Sequence, residues 1–189
     1  EGNAFSNVKV TGSTFDPGTG AAAAIDLVTS GSGDMDFNIV NNPLIKSKAI
    51  NAINIFGFPG SKFEGRVNNN TINVGGGSGS GAGVRVNAQG DFNSLVEIKN
   101  NSITGADDYG ITNIASQGTG RLDVTITGNT ISLSNSGLYG IHAAAGVSGS
   151  GLTNKVCANV ANNITNSVPI PNAIGNFQAR AATATHEIL

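Results

Sequence analysis

Apolar and polar residues alternate with a period of two along several short stretches of the chain. In the stretch "RLDVTITGN", Leu122, Val124 and Ile126 alternate with Asp123 and Thr125. Successive side chains of a β-strand point to opposite faces, so this alternation predicts a strand with one buried face. No stretch shows the spacing of apolar residues that is typical of a helix. The pattern therefore predicts an all-β protein made of short strands.

One short motif returns along the chain at a nearly constant interval. It has six positions. The first and the sixth are apolar, the third is Gly or Asn, the fourth is Asn in most copies, and the second and the fifth are variable. Its five full copies are Val10–Phe15, Ile39–Leu44, Val67–Ile72, Ile98–Ile103 and Ile126–Ile131. Their starts lie 29, 28, 31 and 28 residues apart, and a sixth, shortened copy is Val160–Ile164. A fixed period of this length predicts a solenoid of stacked coils.

A second apolar motif follows each copy, and a Gly-rich turn closes the unit. The second motifs are "AIDLV", "AINIF", "GVRVNA", "GITNIA" and "GIHAAA". Two or three short strands per unit predict a right-handed parallel β-helix of five to six coils of about 29 residues, with neighbouring coils about 4.8 Å apart. A β-sandwich would need tight antiparallel hairpins, and a propeller blade would need about 40 residues. We expect residues 1–164 to form the coils and residues 165–189 a terminal strand, cap or junction.

The first central position of the motif predicts a sharp turn in every coil. Only Gly and Asn occur there, and these residues reach the left-handed backbone conformation most easily. The six positions are Gly12, Asn41, Asn69, Asn100, Gly128 and Asn162.

The second central position predicts a column of amide side chains. Stacked coils would place these residues above one another, and each amide carries both donors and acceptors. The column consists of Ser13, Asn42, Asn70, Asn101, Asn129 and Asn163. We therefore predict an Asn ladder, with Ser13 as a weaker link at its edge.

Charge and cysteine content narrow the possible partners. Charged residues make up 12% of the chain and the net charge is -2, without a basic block. This distribution argues against nucleic-acid binding, which needs a positive face. No window approaches the roughly 18 apolar residues of a membrane span. The single cysteine, Cys157, cannot form an internal disulfide. We expect it to be a small apolar residue of the core.

One local group of residues is a candidate ligand-binding site. Tyr109 and Tyr139 each lie two residues before the Ile of the second motif, so neighbouring coils should stack them. His142 takes the next outward position, and Asp107 and Asp108 lie beside Tyr109. These side chains could hold a sugar or a weakly bound calcium ion. The alternative is a solvated rim in which His142 is an ordinary surface residue. We identify no catalytic residue and no metal-binding set.

The repeats resemble those of a known superfamily. The stretches "VTITGNTIS" and "VEIKNNSIT" are similar to the parallel β-helix repeats of pectate-lyase-like proteins, over roughly Val8–Ile164. The segment "NKVCANVANNIT" followed by "NFQARAATATHEIL" resembles the terminal coil of large secreted bacterial β-helix proteins, including adhesins and autotransporter passengers. The resemblance implies an extracellular or cell-surface structural or adhesive module without a cofactor. The alternative is a polysaccharide-binding or polysaccharide-degrading β-helix of the lyase or hydrolase kind.

The motifs of the enzymes in this superfamily are mostly missing. Polygalacturonase-like enzymes resemble one another in four short motifs, and only Asp107-Asp108 matches one of them. The sequence therefore favours a non-enzymatic module. Both ends of the solenoid should be open sheet edges, so we expect them to contact neighbouring domains or further copies, which would extend a filament. Glycans are the other expected partner class.

Overall fold

The computed structural model describes residues 5–16, 23–48, 50–75, 81–91, 93–134, 137–146, 153–165, 177–179 and 185–188. These residues form nineteen strands in three sheets and no helix. Sheet A contains β1 (Phe5–Thr11), β4 (Asp34–Val40), β7 (Lys62–Asn68), β10 (Asn93–Lys99), β13 (Arg121–Thr127), β16 (Lys155–Ala161) and β19 (Thr185–Ile188). Sheet B contains β2 (Thr14–Phe15), β5 (Leu44–Ser47), β8 (Thr71–Val74), β11 (Ser102–Ala106), β14 (Thr130–Leu133) and β17 (Ile164–Thr165). Sheet C contains β3 (Ile25–Thr29), β6 (Ile53–Gly57), β9 (Ala82–Gln89), β12 (Tyr109–Ser116), β15 (Tyr139–Ala145) and β18 (Phe177–Ala179).

The chain visits sheets A, B and C in turn, so each coil adds one strand to each sheet. Every strand pairs in parallel with its equivalent in the next coil, and sheets B and C are six strands deep. Sheet A has a seventh strand because β19 pairs with β16. These pairings confirm the predicted all-β solenoid of stacked parallel coils. Within residues 165–189, β18 and β19 continue sheets C and A.

The turn between sheets A and B has the predicted backbone conformation in all six coils. Asn41, Asn69, Asn100 and Asn162 have φ between 53° and 56°, and Gly12 and Gly128 have φ of 60° and 66°. This left-handed conformation ends the strand of sheet A and redirects the chain into sheet B. The restriction to Gly and Asn in the sequence is therefore explained by the backbone alone.

The Asn ladder follows directly after this turn and is confirmed. The Nδ2 groups of Asn42, Asn70, Asn101 and Asn129 each donate to the Oδ1 atom of the next Asn, over 2.8 to 2.9 Å, ending at Asn163. The same Oδ1 atoms accept the backbone N–H of the preceding rung at 3.0 to 3.1 Å. Each Nδ2 also donates to a main-chain carbonyl in the preceding coil. The buried amides are thus fully hydrogen-bonded, as burial of a polar group requires.

Inward-facing side chains of the three sheets fill the solenoid with apolar columns. The column at the start of sheet C, for example, contains Ile25, Ile53, Val84, Ile111 and Ile141 in register, all at most 5% exposed. Such continuous burial of branched side chains supplies the main hydrophobic stabilisation of the fold.

In two coils the residue just before this column must be glycine, because sheets B and C approach closely there. A Cβ atom on Gly83 would lie 2.4 Å from Cγ2 of Ile103, and one on Gly110 would lie 2.4 Å from Cγ2 of Ile131. The glycine of the motifs "GVRVNA" and "GITNIA" is therefore a packing requirement.

In two copies of the motif the second apolar residue is not the one that enters the core of sheet B. In the second coil Leu44 pairs with outward-facing Thr14, and Ile45 pairs with Phe15 and Ile72 in the core. In the sixth coil Ile164 pairs with Thr130 and is 59% exposed, and the next residue occupies the inner column. In the second coil one extra residue after the ladder Asn shifts the register, whereas in the sixth coil Ile164 directly follows the ladder Asn163 and takes the outward position.

Cys157 is buried but lies outside the hydrophobic cluster. Its neighbours Val156 and Ala158 face the core, and Cys157 itself is in register with Asp123 in an outward column of sheet A. The burial was predicted correctly, and the position in the core was wrong because the alternation of β16 turns this side chain outward.

Candidate functional site

The predicted site residues Tyr109, Tyr139 and His142 meet on the outer face of sheet C. Tyr109 and Tyr139 are in register, with ring centroids 6.2 Å apart and nearly parallel planes. The ring of His142 lies 4.5 Å from that of Tyr109 and 6.5 Å from that of Tyr139. We call these three residues the ring cluster. Offset stacking at these distances holds the rings in fixed positions.

His142 is not the surface residue that the sequence suggested. Its side chain is only 4% exposed, and its Nδ1 atom lies 2.9 Å from the hydroxyl of Thr112, which is 3% exposed. The strand alternation places His142 on the outer face as predicted, but Tyr109 covers it from the neighbouring coil. The alternative of an ordinary surface histidine is therefore wrong, because a side chain from another coil covers the outward position.

The two adjacent aspartates diverge. The carboxylate of Asp107 accepts a hydrogen bond from the hydroxyl of Ser134 in the next coil. Asp108 lies at the entrance to β12, and its carbonyl accepts the N–H groups of Leu138 and Tyr139. Burial raises the pKa of the Asp108 carboxyl, and the charge of Asp107 raises it further. The pair thus has one hydrogen-bonded carboxylate and one that is held in a less polar environment.

Asp108 and Tyr109 line a cleft on the outer face of sheet C, together with residues that the sequence pattern did not single out. The cleft has a volume of about 260 Å³ and is also lined by Ile50, Asn51, Ala82, Arg85, Thr112 and Ile114. Arg85 stands in register with Thr112 one coil away. We call this the sheet C cleft. The sequence analysis singled out Asp108 and Tyr109 but predicted neither the cleft nor its other lining residues.

A second depression lies on the outer face of sheet A. It has a volume of about 480 Å³, and four of the residues that line it, Asn38, Arg66, Glu97 and Thr125, are in register in successive coils. Its charges are largely paired on the protein itself. Lys99 and Asn68 both donate to the carboxylate of Glu97, and these hydrogen bonds hold the pKa of Glu97 below its usual range. Two of the three acidic residues that line the depression, Glu64 and Glu97, are therefore paired with lysines of the protein itself.

Comparison of the chain with protein-family models, with curated proteins and with solved structures found no match. The resemblance to pectate-lyase-like repeats therefore stays a prediction, and so does every activity that it implies.

The remaining predictions about ligands concern metals and membranes. The part of the chain that the structure describes contains no group of three or more His, Cys, Asp or Glu side chains arranged to hold a metal ion. It also contains no helix long and apolar enough to cross a membrane. Binding of calcium or of a glycan by the ring cluster and the two aspartates stays a prediction.

Proposed function

We propose that the chain is a structural or adhesive β-solenoid module of a secreted or cell-surface protein, extended by stacking of one copy on the next. The parallel coils and the Asn ladder support a rigid rod, because each coil is bonded to its neighbours along the whole axis. The observation that carries the proposal is the partial exposure of inward-facing apolar side chains in the first described coil.

The inner columns of that coil are incompletely covered. Val8, Val10, Phe15 and Leu27 face inward and pack against the core, yet all four are only partly buried. Their equivalents in the following coils, such as Phe37 and Ile39, are fully buried. Apolar side chains that lack a covering layer favour association with a matching surface.

The backbone hydrogen-bonding groups at the same end of the solenoid could also pair with a further coil. Strands β1, β2 and β3 are the outermost strands of sheets A, B and C, so each has one edge without a partner among the described strands. At the turn, Gly12 has the same left-handed conformation as the Asn residues below it. An incoming coil of the same repeat would therefore meet a matching backbone, and a second copy of this chain supplies such coils.

Sedimentation equilibrium or multi-angle light scattering over a range of concentrations tests the proposal. We expect the mass of the wild-type chain to rise with concentration, and Val10→Lys to remain monomeric because it places a charge in the uncovered column. Thr125→Lys adds the same charge on the outer face of sheet A and should associate like the wild type. A wild-type monomer at every concentration would contradict stacking between copies.

A further inference from the structure

The sheet C cleft contains a cation that has no partner in the part of the chain that the structure describes. Arg85 is partly buried and lines the cleft, yet it forms no ion pair and no side-chain hydrogen bond with any described residue. This differs from Lys62, Lys99 and Arg121 on sheet A, each of which contacts a carboxylate. An arginine held in a cleft without a counter-ion is suited to bind a carboxylate of a ligand.

The same cleft contains an anion that is also left without a partner. Among the described residues, the carboxylate of Asp108 accepts no hydrogen bond and forms no ion pair, in contrast to that of Asp107. Arg85 and Asp108 both line the cleft but form no ion pair with each other. A ligand that carries only a carboxylate would be attracted by Arg85 and repelled by Asp108.

Besides the two charged residues, Asn51 and Thr112 give the cleft a polar part, and four other residues give it an apolar part. These four are Tyr109, Ile114, Ile50 and Ala82. The ring of Tyr109 is held in place by stacking on His142. The volume of about 260 Å³ is below the roughly 300–1,000 Å³ that is usual for drug-sized ligands. The occupant should therefore be small, with an apolar body and two opposite charges.

We propose that the sheet C cleft binds a free α-amino acid with an apolar side chain. Arg85 would bind the carboxylate, Asp108 would accept hydrogen bonds from the ammonium group, and Tyr109 and Ile114 would contact the side chain. An acidic sugar shares the carboxylate but lacks the ammonium group, so it would leave Asp108 unpaired and is the less favoured ligand.

Titration of the ¹⁵N-labelled chain with phenylalanine, followed by NMR, tests the proposal. We expect saturable shifts at the amides of Ala82, Tyr109 and Thr112. Phenylalaninamide lacks the carboxylate, and 3-phenylpropionate lacks the ammonium group, so each should bind at least about tenfold more weakly, as expected for loss of a charge-assisted hydrogen bond. Galacturonate is the probe for the acidic-sugar alternative.

Two variants and two matched controls complete the test. Arg85→Gln and Asp108→Asn should each weaken phenylalanine binding by at least about tenfold. Arg121→Gln and Asp123→Asn make the same changes on sheet A and should bind like the wild type. The proposal is overturned if phenylalanine, leucine and glycine give no saturable shift, if the amide binds as well as the acid, if both cleft variants bind normally, or if galacturonate binds more tightly than phenylalanine.

Discussion

Two regions of the solenoid bury the same side chain in opposite ways. In the ladder, Asn70 and Asn101 are at most 2% exposed, and their amides are bonded to the coils on both sides. In sheet C, Asn113 is completely buried in an inward column, and neither its Nδ2 nor its Oδ1 atom has a hydrogen-bond partner among the described residues. The neighbours of Asn113 in register are Val86 and Ala143, which carry no polar side-chain atom. A buried amide in this fold is therefore satisfied where neighbouring coils supply an amide or a main-chain group within reach, and the neighbours of Asn113 in register supply no amide.

The largest expected effect is the loss of one rung. Asn101→Leu would leave the N–H and Nδ2 groups of Asn70 and the carbonyl of Val67 without their partner. Several buried groups would lose hydrogen bonds at once, so we expect the free energy of unfolding to fall by about 4 kcal/mol. Urea unfolding followed by circular dichroism measures this loss. The exposed Asn73→Ala is the control, and an equal loss in both variants would contradict the role of the ladder.

Replacing the buried asparagine of sheet C should change the free energy of unfolding in the opposite direction. Asn113→Leu replaces an unsatisfied amide by an apolar side chain of similar size, so the free energy of unfolding should rise by about 2 kcal/mol. The same urea experiment measures the gain. A loss of stability would show that the amide of Asn113 is satisfied in solution, for example by a buried water.

A second amide next to Asn113 should give sheet C part of the hydrogen bonding that the Asn ladder has. Val86→Asn places an amide in register with Asn113, one coil away. We expect the substitution to cost about 1 kcal/mol less in the wild type than in the Asn113→Leu background. A double-mutant cycle measures this coupling, and a coupling of zero would mean that register alone does not create a rung.

Several features of this comparison were predictable from the sequence, and others were not. The positions of Asn101 and Gly128 followed from backbone rules that act within each coil and repeat in every coil. The lack of hydrogen-bond partners around Asn113 depends on which residue each of three neighbouring coils has at this position. The repeat pattern does not predict these residues. The sheet C cleft depends on the length and direction of Arg85, and the entry of Ile45 into the core depends on one extra residue in its turn. Features that recur in every coil can be predicted from the sequence. Features that arise from differences between the coils are seen only in the three-dimensional structure.

The ladder can be extended at its open end with a smaller gain. Ser13 donates its N–H to Oδ1 of Asn42 but has no amide side chain. Ser13→Asn should add an Nδ2–H···Oδ1 bond to Asn42 and raise the free energy of unfolding by about 0.5–1 kcal/mol. Thr11→Asn, an exposed change in the same turn, should have no such effect in thermal unfolding. Equal midpoints for the two variants would contradict the added rung.

The smallest effect concerns the pH dependence of stability at Asp108. Its pKa is raised in the folded state, so the folded chain holds this proton more tightly than the unfolded chain does. Its contribution to stability is therefore present at low pH and is lost as the pH rises through the raised pKa. Asp108→Asn should unfold at a higher temperature than the wild type at pH 7, with a smaller advantage at pH 4. The reverse order would contradict burial as the main cause.

The central claim is that the coils are joined by a continuous column of hydrogen-bonded amides. Hydrogen exchange of the side-chain NH₂ groups, resolved by NMR, tests it most directly. We predict that the NH₂ groups of Asn42, Asn70, Asn101 and Asn129 exchange only on global unfolding, so that their opening free energies match the free energy of unfolding. Exchange of these groups as fast as that of the exposed Asn73 amide would contradict the ladder and the solenoid built on it.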